Sequence, residues 1–97
     1  EAFSDDKIPE GFVREKITYN EKEYEMFIIK IGLKVGYYRR LANMTQEQLS
    51  EYSGMSLNFI SQLEAPSAPY VPSLKSLHKI SKALGVPVSK LTDVDND

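Results

Sequence analysis

The 97-residue chain has no cysteine and only one histidine. Without cysteine there are no disulfides and no thiolate metal ligands, as expected of a cytoplasmic protein. His78 has no second histidine or cysteine to share a metal with, so neither metal nor cofactor is expected. No apolar run is long enough to span a bilayer, so no membrane role is expected; no signal-peptide pattern stands at the start. The chain opens on Glu1 rather than methionine, which leads to the expectation that a few residues have been trimmed. There is no internal repeat and no low-complexity tract. Also missing are a Ser/His/Asp grouping, a metal-ligand cluster and a glycine-rich phosphate loop. The carboxylates gather near the two ends, where no core would raise their pKa. These absences exclude the common enzymatic chemistries and leave a single small domain with a modest core.

The charge that is present is unevenly placed. The formal net charge is −2, but residues 1–27 hold 4 Lys/Arg against 8 Asp/Glu. Residues 28–92 reverse the balance with 8 Lys/Arg against 3 Glu, and Asp93, Asp95 and Asp97 make the last five residues acidic. A basic middle section inside an acidic total is the expected footprint of a domain that meets a phosphate backbone.

Within that section, residues 45–64 show a helix stopping and restarting over a few positions. Thr45 is an N-cap with Gln48 three residues on, the pattern of a capping box. Gly54 falls where the chain leaves the helix with positive φ, which glycine does at little cost. Ser56 then caps a second helix with Ile60 and Leu63 on its inner side. Two short helices joined this tightly cross at a steep angle and present the outer face of the second to a groove.

The flanks complete an all-α reading with five helices. Residues 1–11 read as an arm. Over 12–19 the chain is β-prone, with Val13, Ile17 and Tyr19 on one side, and Asn20 allows either a hairpin turn or a helix cap with Glu23. The expectation leans to an extended segment at 13–18. From Met26 to Ala42, Ile28, Ile31, Val35, Tyr38 and Ala42 recur at helical steps and predict one buried face. Gly32 and Gly36, four apart on it, predict close approach of a neighbouring element, and Asn43 a left-handed helix end. Residues 65–72, with three prolines, form a loop. Ser73 caps a helix carrying Leu74, Leu77, Ile80 and Leu84 inward and ending at Gly85; Pro87 opens a last short helix with Leu91. The expected organisation is an extension at 1–27, a domain at 28–92 and an acidic tail at 93–97.

Arg39, Met44–Leu49, Gly54-Met55-Ser56, Ile60–Glu64, Pro72-Ser73-Leu74 and Lys82–Val86 together resemble the lambda-repressor-like domain of the Cro/repressor (xenobiotic-response-element, XRE) helix-turn-helix family. The resemblance covers about 28–92 and implies a five-helix bundle whose third helix, 57–64, enters the DNA major groove, usually in a homodimer. Two departures stand out. Ser50 and Ser53 occupy positions the family fills with apolar residues, where each is expected to bond back to the carbonyl four residues earlier. The loop 65–72 is longer and richer in proline than is usual, which reduces the donors and cations it offers to phosphates.

The resemblance implies that Gln46, at a helix start, binds the DNA backbone, where free N–H groups and the helix dipole also favour a phosphate. Ser56, Leu57, Asn58, Ser61 and Gln62 are the expected reading residues. Asn and Gln match adenine N6/N7, and Leu57 suits a thymine methyl. With no Arg or Lys among them, bidentate reading of guanine is not expected. Phe59 leans outward and is assigned to core packing, the alternatives being a DNA sugar or Tyr52. Family geometry pairs Arg39 with Glu64 as a structural tie, leaving Arg40 and Lys75 as phosphate contacts; Lys79, Lys82 and Lys90 read as a solvated face. The function so implied is a double-stranded DNA-binding transcriptional regulator, a homodimeric repressor on a palindrome. The alternatives are an antitoxin, with 1–27 holding a protein partner, or a protein-interaction module of the same fold.

Overall fold

The computed structural model describes residues 10–67 and 69–95. Five helices follow one another: α1 (Glu21–Leu41), α2 (Gln46–Ser53), α3 (Leu57–Glu64), α4 (Leu74–Leu84) and α5 (Val88–Thr92). Among the described residues there is no strand, and no helix is long and apolar enough to cross a membrane.

Each boundary has a local cause. The Asn20 carboxamide oxygen accepts from the Lys22 and Glu23 amides at 3.0 and 3.2 Å, so α1 starts at Glu21, ahead of the Met26 at which its apolar period begins. The cap thus prevails over the hairpin turn, and 13–18 forms no strand: a β-prone run needs a partner strand, whereas the cap needs only the next turn. The arm expected at 1–11 lies largely outside the described residues. At the other end of α1, Asn43 takes φ 57° and turns the chain, leaving Ala42 exposed at the cap rather than on the buried face. Gly85 ends α4 at φ 75°, where a side chain would be strained.

The core is built from Ile31 and Val35 of α1, Leu49 of α2, Ile60 and Leu63 of α3, Leu77 and Ile80 of α4, and Leu91 of α5. Each fully buried aliphatic side chain is worth about 1.5–3 kcal/mol relative to exposure. Val94, beyond α5, is buried among them at 1% exposure. Leu84 packs half-buried against the cluster, but Leu74 is 78% exposed. It sits in the first turn of α4, before the inward stripe of Leu77 and Ile80 comes round, so the inward place expected for it was wrong.

α1 lies against α3 and α5, and α2 against α3 and α4. The α1–α3 contact depends on the two glycines. A Cβ on Gly32 would overlap the Leu63 carbonyl oxygen, and one on Gly36 would stand 3.1 Å from Glu64 Oε1.

Candidate nucleic-acid interface

The helix-turn-helix is held by side chains bonding to backbone at every junction. The Thr45 hydroxyl accepts from the Gln48 amide at 3.0 Å, and the Gln48 side chain accepts from the Thr45 amide at 2.9 Å. Gly54 makes the turn at φ 74°. Ser50 donates forward to the Met55 carbonyl at 2.6 Å, and Ser53 accepts from the Met55 amide at 3.2 Å. Ser50 fastens the turn instead of bonding back four residues, because the Met55 carbonyl has no place in a helix ladder; Ser53 holds the Met55 amide and donates back three residues to the Ser50 carbonyl at 3.5 Å. An apolar residue at 50 would leave the Met55 carbonyl without this partner, and one at 53 the Met55 amide.

Ser56 caps α3 by accepting from the Phe59 amide at 3.0 Å. With Ile60 and Leu63 buried, the direction of α3 is set. Leu57, Asn58, Ser61 and Gln62 are all exposed, and their spacing puts them side by side on the opposite face. Ser56 itself is committed to the cap, so its effect on any ligand is to aim α3. Ser56→Ala should therefore lower stability by about 1 kcal/mol, read by thermal unfolding. Phe59 packs against the core and edge-on to Tyr70, ring centroids 5.3 Å apart, rather than against Tyr52. Tyr70 anchors the proline-rich loop to α3.

A buried polar knot joins the end of α1 to the end of α3. Arg39 donates from Nε and Nη2 to the two Glu64 carboxylate oxygens at 2.8 and 2.9 Å, and from Nη1 to the Met44 carbonyl at 2.7 Å. Hydrogen bonding to Glu64 raises the Arg39 pKa further above its ordinary value, against the opposing effect of burial. The guanidinium is thus held as a cation throughout the neutral range. One side chain ties the end of α1, the link before α2 and the end of α3.

Glu64 Oε1 also accepts from the Gln46 carboxamide nitrogen at 3.0 Å. A phosphate only accepts hydrogen bonds, so the Gln46 carboxamide oxygen has nothing to offer one; its second N–H does. Gln46 is therefore a positioned donor at the start of α2, on the positive end of that helix. Sequence reasoning placed Gln46 and Glu64 in separate roles. Their contact spans eighteen residues and carries no local signal. Lys75 is exposed in the first turn of α4, and Arg40 is exposed on α1. His78, Lys79, Lys82 and Lys90 are exposed as well, and the described residues hold no cluster of His, Asp or Glu suited to a metal ion.

This arrangement of two capped helices around a fastened turn also matches known proteins. The helix-turn-helix family model matches residues 35–91. The chain belongs to the lambda-repressor-like (XRE-type) helix-turn-helix family. It is 39% identical over 64 residues to an uncharacterized HTH-type transcriptional regulator of Methanocaldococcus jannaschii, covering 66% of this chain and 94% of that one. Among solved structures, SinR, described as the master regulator for biofilm formation, in complex with DNA, matches at 30% identity with a TM-score of 0.59, covering 63% of this chain and 95% of SinR. The restriction-modification controller protein C.Esp1396I matches at 30% identity and TM-score 0.63, over 72% of this chain and 87% of that one. The controller C.AhdI from Aeromonas hydrophila shares the fold at 23% identity and TM-score 0.61, over 66% of this chain and 94% of its own length. The helix-turn-helix protein is thus a DNA-binding transcriptional regulator and not an enzyme.

Proposed function

We propose that this regulator is a sequence-specific repressor in the cytoplasm that binds a palindromic double-stranded operator as a homodimer and reads each half-site with the outer face of α3. One observation carries the reading: Leu57, Asn58, Ser61 and Gln62 stand exposed together on a helix whose other side is fixed in the core. Asn58 and Gln62 each pair a donor with an acceptor, as adenine N6/N7 requires; Leu57 suits a thymine methyl, and Ser61 suits several bases. The half-sites should lie about one helical turn, roughly 34 Å, apart. Phosphates fall to the remaining Gln46 N–H and to Lys75. The acidic segment 1–27 is a poor DNA ligand and is assigned to protein contact.

Salt dependence tests the reading. With one Lys75 per copy on a phosphate, and Gln46 neutral, the dimer should lose affinity with a slope of log K on log salt of about −2. Lys75→Ala should remove most of that slope and leave the preferred sequence unchanged. A slope of about zero for the unchanged protein would contradict DNA binding as the function. It would favour the protein-interaction module, which the lack of Arg and Lys on α3 also favours.

A further inference from the structure

α1 carries a surface used by neither the core nor the reading face. Its inner side holds Ile28, Ile31, Val35 and Arg39. On the outer side, Met26, Leu33 and Tyr37 are 51%, 48% and 52% exposed. With Lys30 between them, positions 26, 30, 33 and 37 follow steps of four, three and four, the spacing of a seam between two packed helices. A shallow hollow of about 350 Å³ lies there, lined by Lys30, Leu33, Lys34 and Tyr37. Residues 17–20 flank the Met26 end, so the surface extends beyond one helix. Three large apolar side chains in one stripe exceed the scattered singles of an ordinary surface.

The charges along α1 indicate what covers it. Glu21, Glu23 and Glu25 stand at its start, and from Met26 to Leu41 there is no acidic residue but there are Lys30, Lys34, Arg39 and Arg40. Arg39 is taken up by Glu64; Arg40 is exposed, with its Nη1 beside Gly36 on the flank of α1. A helix acidic at one end and basic at the other is complementary to its own antiparallel copy. Let two such helices cross midway between Lys30 and Leu33. Met26 then faces the partner's Tyr37, and the Lys30 stem covers the partner's Leu33 while its ammonium stays at the rim. Glu23 meets the partner's Arg40. Every contact recurs by the two-fold axis, as an isologous interface requires.

We propose that the outer face of α1 is the interface between two copies of this chain, packed antiparallel, with Glu23 of each copy paired to Arg40 of the other. This rests on the dimer proposed above and names its surface. It gives Arg40 to a protein contact rather than to a phosphate.

Sedimentation equilibrium of the full chain tests the proposal. Glu23→Arg and Arg40→Glu should each raise the dimer dissociation constant about tenfold or more, since each sets like charges face to face. The double variant restores opposite charges in exchanged places and should return to within about threefold of the original. Leu33→Glu should abolish the dimer. Because these side chains are exposed, the melting temperatures should stay close to that of the unchanged protein. A dimer indifferent to all four variants overturns this surface while the proposed dimer stands. A protein that is monomeric both alone and on DNA overturns both. If Arg40→Glu weakens DNA binding but not self-association, Arg40 is a phosphate contact and the assignment fails.

Discussion

Arg39→Ala and Glu64→Ala should each cost the fold about 3–5 kcal/mol, the price of leaving one member of a buried pair without its counter-charge. Arg39 satisfies both Glu64 oxygens and the Met44 carbonyl, so its loss strands Glu64 Oε2 and the Met44 carbonyl and leaves Oε1 with Gln46 alone. Loss of Glu64 strands the guanidinium and releases Gln46 as well. Arg39→Lys should fall between, since an ammonium keeps the charge but not the two-pronged geometry. Denaturant unfolding of the two single variants and the double variant measures the coupling. The double loss should cost clearly less than the sum of the singles, because neither charge is then left alone. Both single variants should also weaken DNA binding. In Glu64→Ala part of that loss should remain at temperatures where the protein is fully folded, because Gln46 no longer has its anchor. A cost below about 1 kcal/mol would place the pair among ordinary surface ion pairs and contradict this account.

Gly32→Ala should be similarly damaging, about 3 kcal/mol or more, although alanine is the better helix former by about 1 kcal/mol. The added methyl would meet the Leu63 carbonyl oxygen, which belongs to the backbone of α3 and cannot rotate aside. Either α1 and α3 move apart, which opens the core at Ile60 and Leu63, or the end of α3 unwinds, which disturbs Glu64. Gly36→Ala meets the Glu64 side chain instead, and a side chain can yield a few tenths of an ångström. It should therefore cost less than Gly32→Ala. Thermal unfolding of the two variants side by side checks the order. Equal stability would mean that the α1–α3 spacing is not set by Gly32.

These two sites show where the sequence was readable and where it was not. Thr45, Ser56 and Ser73 are caps whose partners lie three residues away, and Gly54 and Gly85 stop their helices by positive φ. Information of this kind is local, so four of the five helices could be placed from the residues alone. The start of α1 was harder, because Asn20 serves a turn and a cap equally well; the choice depended on whether 12–19 had a strand to pair with. Leu74 and Ala42 were misjudged because periodicity does not show where at a helix end the buried stripe begins. The outer face of α3 could be read from its period. The Gln46–Glu64 bond, the Tyr70 anchor and the burial of Val94 join positions far apart in the chain and have no mark in any short window.

Whether the outer face of α3 reads bases, as proposed, is tested by selection of bound DNA from a random pool, run with the unchanged protein and with Asn58→Ala and Gln62→Ala. The unchanged protein should select a palindromic site. Each variant should relax one position per half-site, with a loss of about 1–3 kcal/mol against the preferred base and an almost unaltered melting temperature. If both variants select the same operator with the same stringency as the unchanged protein, α3 is not the reading element and the account is wrong.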